Sequence, residues 1–407
     1  MKGGKKKLCC LLMCALSLLL TGCWDSREIN QIAIVSAVAL DRADDGQILM
    51  SMLIVNPVKM SSAGSGSGSG QGSSTGQATI LLSEKGTGIL DIYQKIQAKV
   101  PKELYLSHLR VIVLSQKLAS GGVADILDFF TRYRESHLRA EIVVTNNKAV
   151  DLFKINTEYE KLPSESIREK TALVLGSKST LLTFFSNITE EGIEAQAPEF
   201  ETGPFEANNE SKGAGKENTA VVYKGTAVFK NDKLLGFLDD QKLKGVVNLS
   251  GSTELGCVLV PVPKEKGGGF VSLRVPKSNT NISPVIKDNK LEADVNIKIE
   301  GRIFENESKL DLSDPEVLHY IEDLFKGTLN QEIEPLLNKL QKDFDSDIYG
   351  FGAAFHKKYR DQWDAGMHAH WDEIFPNLTI NLHYDITIAR VGFLTKSLGV
   401  DEKELLK

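Results

Sequence analysis

Apolar and polar positions follow two rhythms along this chain, and each change of rhythm marks an element. Residues 32–40 (Ile-Ala-Ile-Val-Ser-Ala-Val-Ala-Leu) form an almost unbroken apolar run of strand length. Residues 48–55 repeat it after an Asp44-Asp45-Gly46 turn, so the two read as a hairpin. From 88 to 100 the period lengthens, with Ile89, Ile92, Ile96 and Val100 on one helical face and Pro101 closing it. A strand over 107–114 follows, carrying Leu109, Val111 and Val113, then a helix over 123–133 and a short β-branched strand over 140–145. Residues 156–171 are polar, and 179–185 return to helical spacing. Helices alternating with strands predict an α/β layer over a mixed sheet.

Beyond 218 the rhythm is mainly that of strands. Residues 220–223, 227–229 and 234–238 bracket Asn231-Asp232, a hairpin signature, since both turn residues tolerate positive φ. Residues 256–262, 270–275 and 291–299 continue the pattern; Leu291, Ala293, Val295, Ile297 and Ile299 alternate with polar neighbours, so one face packs and the other is wet. Ser313-Asp314-Pro315-Glu316 predicts a helix start with Ser313 as N-cap. Apolar positions from Val317 to Ile348 keep the helical period for about 45 Å, with a kink expected at 331–334 because Pro335 cannot donate its backbone hydrogen bond. A last half-buried strand runs over 378–388.

These elements predict a multi-domain α+β protein with mixed and antiparallel sheets and packed helices, ending in a long helix laid over an antiparallel sheet. The expected units are an N-terminal α/β domain over 23–207 with a flexible Gly/Ser loop at 61–76, a small β-rich middle domain over 219–275, and a C-terminal α+β domain over 276–400. The polar stretch 208–218 is the expected boundary.

The first 22 residues stand apart. Lys2, Lys5, Lys6 and Lys7 precede an apolar run over 8–20, too short to span about 30 Å of hydrocarbon but suited to a secretory signal. Leu20-Thr21-Gly22-Cys23 ends it and resembles a bacterial lipobox, in which Cys23 would carry the acyl groups and become the first residue of the mature chain. Two or more acyl chains hold a protein firmly to a bilayer.

Composition narrows the function. A chain of 407 residues, 42% hydrophobic and 25% charged, is that of a folded globular protein. Its formal charge of −6 becomes −10 once the four signal lysines are removed. That argues against nucleic acid, whose phosphates require a basic face. After lipidation Cys257 is the one remaining cysteine, so no intrachain disulfide forms, and the apolar run behind it suggests a small buried hydrophobe.

Candidate chemistry is sparse. His356, His368, His370 and His383 cluster late in the chain, but His368 and His370 diverge on a helix and no cysteine completes a ligand set, so no metal and no cofactor is expected. No Gly-x-Ser-x-Gly stands on a strand-to-helix turn and no phosphate loop is complete, so no catalytic residue is assigned. Seven aromatics crowd the 27 residues from Tyr349 to Phe375. They either pin a helix–loop–helix corner in the core or form a partner-binding surface, with Tyr349, Phe351, Tyr359, Trp363, Trp371 and Phe375 as its contact residues.

Several short motifs in a fixed order carry a resemblance. They are Gly22-Cys23-Trp24-Asp25 with Glu28-Ile29, Ser107-His108-Leu109 before Gly121-Gly122, and Phe129-Phe130-Thr131-Arg132. Gly225-Thr226-Ala227-Val228-Phe229 with Leu234-Leu235-Gly236 follows, then Asp347-Ile348-Tyr349-Gly350-Phe351-Gly352, Trp371 with Phe375, and Arg390-Val391-Gly392. Together they resemble the Ger(x)C lipoproteins, the C subunits of spore germinant receptors; the Gly/Ser loop departs from that pattern. The resemblance implies a non-enzymatic lipoprotein, palmitoylated at Cys23, on the extracytoplasmic face of the spore inner membrane. It also implies A-type and B-type integral-membrane subunits as partners in nutrient sensing. A solute-binding lipoprotein holding a nutrient in an interdomain cleft is the alternative.

Overall fold

The computed structural model of the protein describes residues 28–56, 78–133, 137–155, 160, 162–173, 179–204, 219–239, 249, 251–253, 256–288 and 290–390. The signal peptide, Cys23, the Gly/Ser loop and the 208–218 stretch lie outside these residues.

The expected hairpin is β1 (Ile32–Arg42) and β2 (Ile48–Val55), antiparallel, with Gly46 at φ 81° in its turn. β3 (Thr79–Gly86) extends the pair at the sheet edge. After helix α1 (Ile89–Gln97), β4 (Glu103–Tyr105) and β5 (Val111–Ser115) both join β1 in parallel. Helix α2 (Ala124–Arg132) leads to β6 (Glu141–Thr145), which is parallel to β5. Helices α3 (Pro163–Leu173) and α4 (Leu181–Thr189) precede β7 (Gln196–Pro204), and β8 (Thr219–Lys230) and β9 (Lys233–Leu238) close a nine-stranded sheet. β1 is central and covered on both faces, which is why it reads as a continuous apolar run. α1, α2 and α4 pack with Val38, Leu40, Ile112 and Leu114 on one side, and Ile167 of α3 packs with Ala37, Ala39 and Val113 on the other.

The second sheet holds β10 (Ser252–Thr253), β11 (Gly256–Pro261), β12 (Phe270–Lys287), β13 (Lys290–Asn306) and β14 (Thr379–Arg390). β10 to β13 pair antiparallel, whereas β14 joins β13 in parallel, since the crossover through helix α5 (Pro315–Asn338) returns the chain in the same direction. The alternation foreseen in β13 holds, with Ala293, Val295, Ile297 and Ile299 buried. Val317, Ile321, Phe325, Leu329 and Ile333 of α5 are buried in the core that covers this sheet.

Four expectations are corrected. The stretch 219–275 is shared between the sheets: β7 offers an edge that β8 and β9 complete, while β11 and β12 belong to the second sheet, and position 275 falls inside β12. The N-cap of α5 is Asp314, whose carboxylate accepts the Glu316 N–H at 2.9 Å; Ser313 instead donates its hydroxyl to Asp311 at 2.7 Å. The helix runs on past 331–334 and through Pro335, and its hydrogen bonding widens to a π turn only over Lys339–Phe344. Cys257 is exposed, because β11 turns Gly256 and Val260 inward and Cys257 and Leu259 outward.

Candidate functional site at the joint between the sheets

The chain leaves the π turn through Asp345, at φ 46°, and folds Asp347 into the interior. Asp347 Oδ1 accepts the backbone N–H groups of Gly350 and Phe351, both at 2.9 Å. Oδ2 accepts the N–H of Gly352 at 2.7 Å and the Trp371 indole N–H at 3.2 Å. One carboxylate thus organises the start of helix α6 (Phe351–Lys358) and ties it to a tryptophan twenty-four residues on. Burial pushes the Asp347 carboxyl up to about 6, against the pull of its four N–H donors.

The aromatics gather around this turn. Phe351, Trp363, Trp371 and Phe375 are buried, as is Phe355, while Tyr349 and Tyr359 are half-buried. Trp371 lies 5.6 Å from Phe355 and 5.4 Å from Trp363, ring centre to ring centre. A docking surface made of these six side chains is therefore corrected to a core corner: four of the six rings are spent on internal packing.

That corner meets the first sheet. The Glu194 N–H donates to the Asp347 carbonyl (2.9 Å), the Gln196 amide to the Ile348 carbonyl (3.1 Å), and the Ala353 N–H to the Gly192 carbonyl (2.8 Å). Trp363 Nε1 donates to Glu191 (3.0 Å), and the Ser346 hydroxyl to the Phe229 carbonyl (2.6 Å). Gly192, at φ 78°, and Gly352 approach so closely that a Cβ on Gly352 would lie 2.6 Å from Gly192 Cα. Lys230, at the end of β8, donates to Asp372 at 2.6 Å and to the Asp345 carbonyl at 2.7 Å. Burial pulls the Lys230 pKa down, but Asp372 and Asp345 outweigh it and hold it above its ordinary value. Glu194 accepts the Asn231 N–H at 2.6 Å, and its burial pushes the carboxyl up to about 7 against Asn231 and Lys230.

A cavity of about 270 Å³ lies at this joint, lined by Glu191, Glu194, Lys230, Trp363 and Asp372 among others. Asn231, Asp347, Trp363, His368, Trp371 and Phe375 of its lining stand out in the sequence, whereas Glu191, Glu194 and Lys230, which the first sheet brings to them, carry no sequence signal.

The histidines are dispersed. His356 stacks on Trp363, His368 Nδ1 lies 3.0 Å from the Trp363 carbonyl, His370 faces Glu373, and His383 faces Asp294. Among the described residues no three His, Cys, Asp or Glu side chains are placed to share a metal.

Two helix-covered sheets joined through a buried carboxylate turn define a multi-domain α+β protein. The N-terminal domain of spore germination proteins matches residues 25–202, and a domain described as spore germination B3/GerAC like, C-terminal, matches residues 224–392. The chain belongs to this family of spore germination proteins. Spore germination protein KC of Bacillus subtilis (strain 168) is 29% identical over 95% of this chain and 96% of its own length. The putative spore germination protein YfkR of the same strain is 26% identical over 96% and 98%. The crystal structure of the GerBC protein has the same fold, with a TM-score of 0.51 at 21% identity, covering 86% of this chain and 96% of that one.

Proposed function

We propose that the protein is the C subunit of a nutrient germinant receptor, anchored by acyl groups on Cys23 to the outer face of the spore inner membrane. It acts there without enzymatic chemistry, by association with A-type and B-type integral-membrane subunits. The observation that carries this reading is the match of both family domains along the chain, directly behind a Leu-Thr-Gly-Cys lipobox. Among the described residues no helix is long and apolar enough to cross a membrane; in this reading attachment is the task of the Cys23 segment. The solute-binding alternative has the joint cavity as its natural seat, but Lys230 and Glu194 there already have partners within the chain.

Cys23→Ala tests the anchor. Spores carrying it should lose labelled palmitate from this protein, lose it from the membrane fraction, and lose the nutrient response. A nutrient response sustained by a soluble, unlabelled protein would overturn the mechanism. Affinity capture of the acylated protein from spore membranes should bring down both subunit types; their absence under mild detergent would remove the partner assignment. A nutrient-dependent rise in melting temperature of the purified mature chain would instead favour solute capture.

A further inference from the structure

The edges of both sheets are mostly guarded. An open edge strand is a template for another chain, and lysine, proline, bulges or short length usually blunt it. In the first sheet β3 carries Lys85 and β9 carries Lys233; in the second, β10 is two residues long and β11 ends in Pro261. β14 differs. Its twelve residues, Thr-Ile-Asn-Leu-His-Tyr-Asp-Ile-Thr-Ile-Ala-Arg, include no lysine, proline or glycine, and 379–388 pair with 292–301 of β13 without a bulge. Among the described residues no strand pairs with its other side.

That side is open in its middle. The Ile388 N–H donates to Glu322 of α5 at 3.0 Å, so it points away from β13. By the two-residue period of a strand, the backbone groups of Leu382, Tyr384 and Ile386 point the same way, and no hydrogen bond joins them to a described residue outside the sheet. The side chains of Ile380, Leu382, Tyr384 and Ile386 face the core under α5 yet stay half-buried. One more strand would pair those groups and cover those side chains.

The opposite face of β14 selects the strand that fits. His383 and Asp385 are exposed there, beside Asp294 (3.3 Å) and Lys298 (3.7 Å) of β13. The other charges near them are Lys358, which offsets Asp294, Lys277 opposite Glu300, and Glu292 beside Asn381. When β14 pairs antiparallel with its own copy about an axis at Tyr384, each His383 lies opposite the other copy's Asp385, and each Leu382 opposite an Ile386. Moving the axis to His383 or Asp385 sets imidazole against imidazole or carboxylate against carboxylate. The Tyr384 hydroxyl donates to Asn330 of α5 at 2.7 Å, so the helix reaches the axis there. Exposed Lys326 lies one turn before Asn330 and exposed Glu334 one turn after it, so across the axis the two are opposite. The strand is complementary to itself.

We propose that two copies of this chain pair antiparallel through β14, about a two-fold axis at Tyr384, so that their second sheets become one. The contact forms about six backbone hydrogen bonds and lies at the small, weak end of specific interfaces. It goes beyond the receptor reading and does not rest on Cys23; within that reading it sets two receptors side by side.

The test uses the mature chain, residues 23–407, made without acyl groups as Cys23→Ser. Sedimentation velocity should find a monomer near about 1 µM and twice that mass near about 100 µM. His383→Glu sets carboxylates opposite each other on both sides of the axis and should raise the dissociation constant about tenfold; His383→Glu with Asp385→Lys should restore it to within about threefold of the parent. These side chains are exposed, so melting temperatures at low concentration should stay within a few degrees of the parent. A nitroxide on Thr387→Cys, in a Cys257→Ser background, should find its copy at roughly 20 Å, because 387 faces 381 and so lies six positions along the strand from its own copy. A monomer at about 100 µM, a dimer indifferent to His383→Glu, or a spin distance beyond about 35 Å would each overturn the proposal. So would slow hydrogen exchange at the Leu382, Tyr384 and Ile386 amides of a chain that stays monomeric, which would assign the edge to a segment of the chain itself.

Discussion

Asp347→Asn sets burial against hydrogen bonding at one atom pair. The carboxyl is raised from 3.8 to about 6 by burial, and at about 1.4 kcal/mol per pKa unit the ionised group costs the folded state about 3 kcal/mol. Because the native protein holds this proton more tightly than the unfolded chain, the contribution is fully present below about 3.8 and is lost as pH rises through about 6. Asparagine removes the charge but keeps one acceptor. Its oxygen can serve Gly350 and Phe351, while its amide hydrogens then face the N–H groups of Gly352 and Trp371, leaving two buried donors unserved. Each costs about 1–3 kcal/mol. The variant should therefore be less stable than the parent by about 2–6 kcal/mol near pH 4, and that deficit should shrink by about 3 kcal/mol by pH 7. Urea unfolding of the unacylated mature chain at a series of pH values measures both. A deficit that stays constant or widens with pH would show that the four N–H donors outweigh desolvation, and the reasoning about Asp347 would be wrong.

Three further outcomes are expected. Gly352→Ala should destabilise by about 2–3 kcal/mol in the same urea assay, since its Cβ would meet Gly192 Cα at 2.6 Å and the Trp371 ring at 2.7 Å with backbone on one side unable to yield; a neutral effect would mean that the joint opens readily. Glu194→Gln should flatten the stability profile between pH 5 and 8 by up to about 3 kcal/mol, because a carboxyl raised from 4.5 to about 7 contributes below 4.5 and loses that contribution as pH passes 7. Cys257 should react with a thiol reagent in the native Cys23→Ser chain before any unfolding, and protection of that thiol would contradict its outward place on β11.

The sequence was most readable where burial and period agree. The β1–β2 hairpin, α1, α2, β13 and the buried stripe of α5 all announce themselves, because one face or both faces meet a core made by neighbours in the same region. β7 does not. Its Gln-Ala-Pro-Glu-Phe-Glu-Thr-Gly-Pro sequence carries two prolines and two glutamates, and Pro198 argues against a strand, yet tertiary pairing with β8 holds it in place. β3 hides for a different reason: it is an edge strand beside low-complexity sequence, with much of its surface wet. The aromatic crowd at 349–375 was visible as composition, but its direction was not. Whether Trp363 faces a partner or the interior depends on Glu191 and Gly192, more than 170 positions earlier, and no local pattern encodes that pairing. Likewise Asp347 reads as one more acidic residue until the four N–H groups that enclose it are in place.

β8 has a consequence for how this family can change. The C-terminal domain match begins at Lys224, in the middle of a strand whose hydrogen bonds belong to the N-terminal sheet. The unit that sequence comparison delimits and the unit that folds are therefore offset by a hairpin. Exchanging the halves of two relatives at the matched boundary would pair a foreign β8–β9 with β7, while Lys230 would stay with its own Asp372. A natural recombinant or an engineered chimera keeps the native β7–β8–β9 pairing only if the crossover lies beyond Leu238, so that the hairpin travels with the sheet it completes, and Lys230 then has to meet the other parent's residue at 372.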